Sequence, residues 1–239
     1  MRGIESKVLW IVTARSGSKS IPDKNIKKLG GKPLLAYRIL TAIELSGKDQ
    51  VWLSTDSVEY AEIGASFGAT VPFLRPKDLS TDSASSMDVI LHGMKHAEGL
   101  GLVFEYIGML EPTSPFIDSE TLKSALEFLA ADTKAEAVVA VKHTHPNTFF
   151  IQNDAPYLDE LAHRFNNSAG LRRQDFKDEI TPSGGFYISK WDAFKRNKTF
   201  YTTKTLAFKV PKNAELEIDE PMDWLWAEFL ISKGVTPIA

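Results

Sequence analysis

Short apolar runs alternate with segments of helical periodicity through the first 140 residues of the chain. Residues 8–12, 50–54, 70–74, 104–110 and 137–141 have the composition of buried parallel strands, rich in β-branched, aromatic and leucine side chains. Helices are predicted between them. Residues 33–45 have Pro33 at the first position and Gly47 past the end; residues 57–68 open on Ser57 and close on Gly68; residues 84–97 follow, and Asp118 caps residues 118–130. This rhythm is the sequence form of an α/β fold: a doubly wound, mostly parallel sheet covered on both faces. Ligands of such sheets bind beyond the carboxyl ends of the strands. The loops starting at Arg15, Arg75 and Glu111, after the first, third and fourth strands, are therefore expected around one cleft.

From Lys142 the rhythm breaks. Residues 143–181 are polar and irregular and read as an excursion from the sheet. Residues 185–189 and 202–210 resume as strands. Residues 221–232 form a terminal amphipathic helix with Trp224, Leu225, Phe229 and Leu230 on or near one face. No repeat or linker interrupts residues 1–239, which are read as one domain. A net charge of −3 provides no global basic field for nucleic acid or a membrane surface, so any cationic site must be local. Cysteine is absent, which excludes disulfides, thiolate metal sites and cysteine nucleophiles. Residues 1–7 are charged and unlike a secretory signal, and no apolar run reaches the ~18 residues of a membrane span. The default location is the cytoplasm.

The first strand opens directly into a small, cationic loop. Arg15, Lys19 and Lys24 sit among Ser16, Gly17, Ser18 and Ser20, and Pro22 rules out a simple helix. Small residues let backbone N–H groups approach an anion, and the cations neutralise it. The loop is neither GxxxxGK[ST] nor GxGxxG. On charge alone a solvated basic loop would be the simpler reading.

The order of residues changes that balance. Ala14-Arg15-Ser16-Gly17-Ser18-Lys19-Ser20-Ile21-Pro22-Asp23-Lys24-Asn25 resembles the ARxxSKxxPxKN signature of the acylneuraminate cytidylyltransferases, the CMP-sialic acid synthetase family. The resemblance recurs along the chain. Arg75-Pro76-Lys77-Asp78-Leu79-Ser80-Thr81-Asp82 is similar to the family's nucleotide-contacting RPxxL[AS]xD segment, and Ser85 and Ser86 fall where its serines bind nucleotide. Helix capping is their simpler role, and the two are compatible. Leu110-Glu111-Pro112-Thr113-Ser114-Pro115-Phe116 resembles LQPTSPL, with Glu111 in place of a Gln that lies near the acceptor sugar. Leu171-Arg172-Arg173-Gln174 resembles a segment of the family's dimerisation arm, so Arg173 would serve a neighbouring subunit's site. Thr181-Pro182-Ser183-Gly184-Gly185-Phe186-Tyr187-Ile188 resembles RPNGAIYI, with Thr181 and Ser183 departing from the pattern.

Glu217-Ile218-Asp219 stands where the family has D-I-D. In an extended segment residues i and i+2 point the same way, so two carboxylates can face one hard cation. Mg²⁺ is usually held by one or two carboxylates plus substrate phosphate. Glu220 and Asp223 fit the acidic first turn of a helix instead. His92 and His96 lack the Glu of a zinc-binding HExxH and read as structural; His143 and His145 could border the sugar site.

The resemblance implies a Rossmann-like nucleotidyltransferase, homodimeric, that transfers CMP from CTP to a sialic-type 2-keto-3-deoxy sugar acid and releases pyrophosphate. It implies Arg15, Lys19 and Asp219 as catalytic groups. Ala14, Arg15, Ser18, Asn25, Arg75, Ser85 and Ser86 would bind nucleotide. Glu111, Pro112, Thr113, Arg173 and Tyr187 would bind the acceptor, and Glu217 and Asp219 would hold Mg²⁺. The departures at Glu111, Thr181 and Ser183 keep legionaminic or pseudaminic acid open as acceptors. The eight-carbon acid KDO fits less well, because that family's first loop reads differently. A non-catalytic nucleotide-binding protein is the alternative of another class.

Overall fold

The computed structural model describes residues 3–144 and 179–237. Six strands form one sheet: β1 (Val8–Thr13), β4 (Val51–Ser54), β5 (Tyr106–Leu110), β6 (Ala137–His143), β7 (Ile180–Lys190) and β8 (Thr205–Lys209), in the order β4-β1-β5-β7-β6-β8. β4, β1 and β5 are mutually parallel, as are β6 and β8; β7 runs antiparallel between β5 and β6. β2 (Lys28–Leu29) and β3 (Lys32–Pro33) form a separate hairpin, closed by Gly30 and Gly31 at φ 56° and 91°. Only glycine adopts two successive positive φ values without strain.

The helices are α1 (Leu34–Ser46), α2 (Val58–Ser66), α3 (Ser86–Gly99), α4 (Ser119–Ala131), α5 (Trp191–Asn197) and α6 (Pro221–Ser232). The local signals work as read. Ser57 and Asp118 accept backbone N–H groups of α2 and α4, and Gly47 ends α1 at φ 87°. Because successive strand residues face opposite ways, β1 feeds two cores. Val8, Trp10 and Val12 pack with Leu35 and Ile39 of α1 and Leu122 and Leu126 of α4. Leu9 and Ile11 pack with Ile90 and Met94 of α3 and Phe194 of α5. A third cluster, including Ile21, Leu34, Phe116, Ile218 and Trp224, packs the first loop and α6 onto the carboxyl end of the sheet.

Four expectations need correction. Residues 70–74 are not a strand: Thr70 forms one isolated bridge to Trp52, and Pro72 cannot donate to a ladder. β7 begins at Ile180, so residues 180–184 belong to the sheet rather than to the excursion, and His143 pairs with Ile180. α5 had no predicted counterpart. On α6 the buried residues are Trp224 and Ala227, whereas Leu225 and Phe229 are exposed. Residues 145–178, with His145 and Arg173, lie outside the described residues.

Arg38 is the one fully buried arginine among the described residues. From α1 its guanidinium donates to the carbonyls of Ile117 (2.7 Å) and Gly185 (3.3 Å), joining the loop after β5 to β7. Burial pushes its pKa down to about 9, against the opposing field of Asp118.

Gly108 in β5 has no room for a side chain, because a Cβ there would collide with the Trp10 ring on β1. Gly108→Ala is expected to destabilise the fold by about 1–3 kcal/mol, measured by urea unfolding. Unchanged stability would show that the two strands pack more loosely.

Candidate active site

Strand order turns about β1. The chain leaves it for β4 on one side and returns to β5 on the other, so a crevice opens beyond its carboxyl end, where such sheets bind ligands. Two adjoining cavities occupy that end. One, of about 400 Å³, is lined by Arg15, Ser18, Lys19, Lys24, Glu111 and Asp219 among others. The other, of about 280 Å³, is lined by Arg15, Arg75, Asp82, Ser86 and Glu111 among others. Arg15 and Glu111 border both.

The first loop is tied down at each end. Asp56, just beyond β4, accepts from the Ser16 backbone N–H and from its hydroxyl, both at 2.8 Å. These bonds hold the Asp56 carboxyl below its ordinary range despite partial burial, which acts the other way. Asn25 Nδ2 donates to the Arg15 carbonyl at 3.0 Å, so this residue braces the loop. Ala14 is buried, its N–H donating to the Ser54 carbonyl at 3.0 Å; it sets the chain direction without lining either cavity.

Arg75 arrives without a strand beneath it. Its backbone N–H donates to the Thr55 carbonyl (2.7 Å) and its guanidinium to the Ser54 carbonyl (3.1 Å). Only 6% of it is exposed. Burial lowers its pKa; Asp56 offsets that, and Arg15 adds to it. Arg15 and Lys19 both meet Asp82, at 2.7 and 2.5 Å. Ser86 lines the second cavity, whereas Ser85 is the N-cap of α3, accepting from the Met87 N–H.

The acidic side of the cleft depends on Ile218. It is fully buried, and its N–H donates to the Thr113 carbonyl at 2.8 Å, which leaves the Glu217 and Asp219 carboxylates bordering the first cavity. Residues 217–219 are not part of a strand, contrary to expectation. Glu217 Oε2 accepts from Lys142 Nζ at 2.7 Å, and Asp219 Oδ1 from Lys24 Nζ at 3.1 Å. Lys24 also reaches the Ile218 carbonyl, and Ser20 the Asp219 carbonyl. One oxygen of each carboxylate keeps no bond among the described residues. Glu220 and Asp223 form the capping box of α6, as their helical reading requires.

Glu111 sits at the junction of the cavities; its carbonyl accepts from the Ser114 N–H at 3.3 Å, but its carboxyl group makes no hydrogen bond among the described residues. Burial pushes its pKa up to about 7, with Glu217 and Asp219 adding to the effect and Lys24 opposing it. Gly184, at φ 60°, keeps this corner open: a Cβ there would collide with the Glu217 carboxylate and lie 3.3 Å from Glu111 Oε2. Tyr187 lines neither cavity; its ring lies 5.5 Å from that of Phe200, and its hydroxyl is raised by burial and then by Glu111. His92 and His96 meet Phe73 edge-on, away from the cleft, which fits their structural reading.

The fold brings together Arg15, Ser18, Lys19, Asn25, Arg75, Ser86, Glu111, Pro112, Thr113, Glu217 and Asp219. Sequence reasoning missed Asp56 and Lys142, and it quoted Asp82 in a motif without foreseeing its pairing with Arg15 and Lys19. The available signal for Asp56 was its position directly after a parallel strand, where polar residues face the cleft.

A mostly parallel sheet that gathers cations and carboxylates at its carboxyl ends defines an α/β protein of the nucleotidyltransferase type. The fold is shared with a CMP:2-keto-3-deoxy-manno-octonic acid synthetase complexed with CTP, at TM-score 0.68 and 16% identity over 96% of this chain and 100% of that one. Residues 9–221 match the Cytidylyltransferase family, and the chain belongs to it. An N-acylneuraminate cytidylyltransferase of Streptococcus agalactiae serotype V is 33% identical over 92% of this chain. The chain spans about half of that relative's length, 52%. A pseudaminic acid cytidylyltransferase of Campylobacter jejuni is 30% identical over 94% of this chain and 96% of its own. A CMP-N,N'-diacetyllegionaminic acid synthase of Legionella pneumophila is 29% identical over the same shares.

The Glu111 carboxyl holds its proton more tightly in the folded chain than in the unfolded one. Its ionisation therefore costs folding free energy above about pH 7, and that cost vanishes below the ordinary carboxylate range. Glu111→Gln is expected to be more stable than the parent at about pH 8 by roughly 1–3 kcal/mol, with no gain near pH 4. Metal-free denaturant titrations at both values check this; a pH-independent difference would contradict it.

Proposed function

We propose that this protein is a cytidylyltransferase that activates a nonulosonic, 2-keto-3-deoxy sugar acid with CTP. The observation that carries the reading is the joining of two cavities at Arg15 and Glu111. One holds Arg75 and Ser86 for the nucleotide, and the other holds Lys24, Glu217 and Asp219 beside room for an acceptor. The acceptor's anomeric hydroxyl attacks the α-phosphate in line. The new O–P bond forms as the bond to the β-phosphate oxygen breaks, pyrophosphate leaves, and the hydroxyl proton passes to solvent. Catalysis of such a transfer is mainly positioning and charge stabilisation. Arg15 and Lys19 face the charge that develops on the phosphates, and Asn25 keeps Arg15 in place through its carbonyl.

The donor set fits Mg²⁺. Among the described residues no three acidic, histidine or cysteine side chains converge as a cage. A hard cation here would rest on the unbonded oxygens of Glu217 and Asp219 plus substrate phosphate, the ligand balance Mg²⁺ prefers. When bound it would neutralise phosphate charge and lower the pKa of the attacking hydroxyl. Lys24 and Lys142 hold both carboxylates in place until then.

Glu111 favours an acceptor other than N-acetylneuraminate. A carboxyl group at the cavity junction accepts from a hydroxyl or amide N–H; the carboxylate is common to all these acceptors, but an N,N'-diacetylated acid such as that of the Legionella relative offers one more amide N–H than N-acetylneuraminate. Homodimerisation and a cytoplasmic location belong to this reading. Its support is the family relationship, together with the finding that no helix among the described residues is long and apolar enough to cross a membrane.

Pyrophosphate release from CTP and Mg²⁺ with N-acetylneuraminate, legionaminate, pseudaminate and KDO tests the reaction and the acceptor together. Release is expected with one of the middle two, and EDTA is expected to abolish it. CTP binding without release from any acceptor would overturn the enzyme reading for this panel. Asp219→Asn is expected to lower turnover at least about 100-fold and to shift the Mg²⁺ requirement upward.

A further inference from the structure

Both exposed cations of the first loop are engaged by one carboxylate. Asp82 Oδ1 lies 2.7 Å from Arg15 Nη2, and Asp82 Oδ2 lies 2.5 Å from Lys19 Nζ. Each oxygen takes a separate cation, the pattern by which an oxyanion bridges a guanidinium and an ammonium. Asp82 lines the same cavity as Arg15, Arg75 and Ser86. Its partners are not structural elsewhere: no other hydrogen bond or ion pair links the Arg15 or Lys19 side chains to the described residues.

We propose that Asp82 is a stand-in for a substrate phosphate, occupying Arg15 and Lys19 until the triphosphate displaces it, and so setting how tightly nucleotide and pyrophosphate bind. The proposal rests on reading the cleft as a CTP site. The contacts are of the displaceable kind. Lys19 is 77% exposed and Asp82 48% exposed at their side chains, and exposed ion pairs contribute little to stability. A polyphosphate carries several charges on one ligand and wins both cations at once. Displacement also uncouples two walls of the cleft. Asp82 stands three residues before the Ser85 cap of α3, so its release frees the wall that carries Ser86 from the wall that carries Arg15.

Asp56 supplies the contrast. Its bonds go to the Ser16 backbone N–H and hydroxyl; its field reaches Arg75, but it engages neither Arg15 nor Lys19, the two cations Asp82 occupies, and its main part is to hold the loop. The two acids should therefore act with opposite sign.

Isothermal titration of inorganic pyrophosphate and of CTP into the full chain, Asp82→Asn, Asp82→Ser and Asp56→Asn separates the cases. Both ligands are expected to bind the two Asp82 variants about three- to tenfold more tightly than the parent, the factor two weak exposed pairs supply. The gap should narrow as salt screens the pairs. Asp56→Asn should bind both ligands more weakly. Unchanged or weaker binding by Asp82 variants that retain the parent's thermal unfolding would overturn the proposal and make Asp82 a scaffold. Tight binding by the variants alone would support it in its strongest form. Binding by neither parent nor variants would overturn the nucleotide site itself, and the proposal with it.

Discussion

Mutual repulsion of cations is the constraint to which the cleft answers. Arg15, Lys19, Lys24 and Arg75 are gathered at the end of one strand before any anionic ligand arrives. Unit charges a few ångströms apart interact by several kcal/mol at the effective dielectric of a protein surface. The fold offsets this with acids drawn from three separate loops. Asp56 comes from the end of β4, Asp82 from the approach to α3, and Glu217 with Asp219 from the segment before α6. Arg75 shows the residual strain: burial and Arg15 both depress its pKa, and the field of Asp56 opposes them.

The antiparallel strand β7 shapes the side of the cleft where the acceptor is proposed to bind. A parallel strand at that position would approach from the far end of the sheet. β7 instead enters at the carboxyl ends of β5 and β6, so Ser183, Gly184 and Gly185 lie beside Glu111 and Glu217. The register shift between Val139 and Val141 accommodates this entry. Arg38 then fixes the arrangement from beneath, because one guanidinium holds both the Gly185 carbonyl and the Ile117 carbonyl beyond the β5 loop. A buried arginine bonded only to carbonyls is expensive to desolvate, and here it replaces a direct hydrogen-bond ladder between loop and strand.

Much of this was legible in the sequence, for identifiable reasons. Strand composition, the Ser57 and Asp118 caps and Gly47 are local signals, and local physics decided those elements. Residues 70–74 have strand composition too, but Pro72 removes a donor and the neighbouring β4 is only four residues long. The amphipathic face of α6 was misplaced because Leu225 and Phe229 look like core residues, and only the position of the third cluster shows that Trp224 and Ala227 face inward. In the site, Arg15, Lys19 and Glu217 were carried by motifs. Asp56 was not, and Asp82 stood in a motif without its partners being legible, since their roles exist only through residues 40 and more than 60 positions away in the chain.

Arg15, Lys19 and Lys24 are thus paired with carboxylates before substrate binds, and this shapes what recognition can mean here. A site of unpaired cations would attract any anion through its net field. A site whose cations already have carboxylate partners discriminates instead by exchange: a ligand must offer each cation a better partner than the one it leaves. Phosphate oxygens in a chain can do this at Arg15 and Lys19, where the protein's own pairs are exposed and weak. A single carboxylate of an acidic sugar cannot displace the half-buried pair of Lys142 and Glu217 on the same terms. On the proposed reading, the two halves of the cleft would sort two anionic ligands by how firmly the protein has already satisfied each cation: the nucleotide would go where the internal pairs are loose, and the sugar acid where they are tight, met by hydrogen bonds around Glu111 instead.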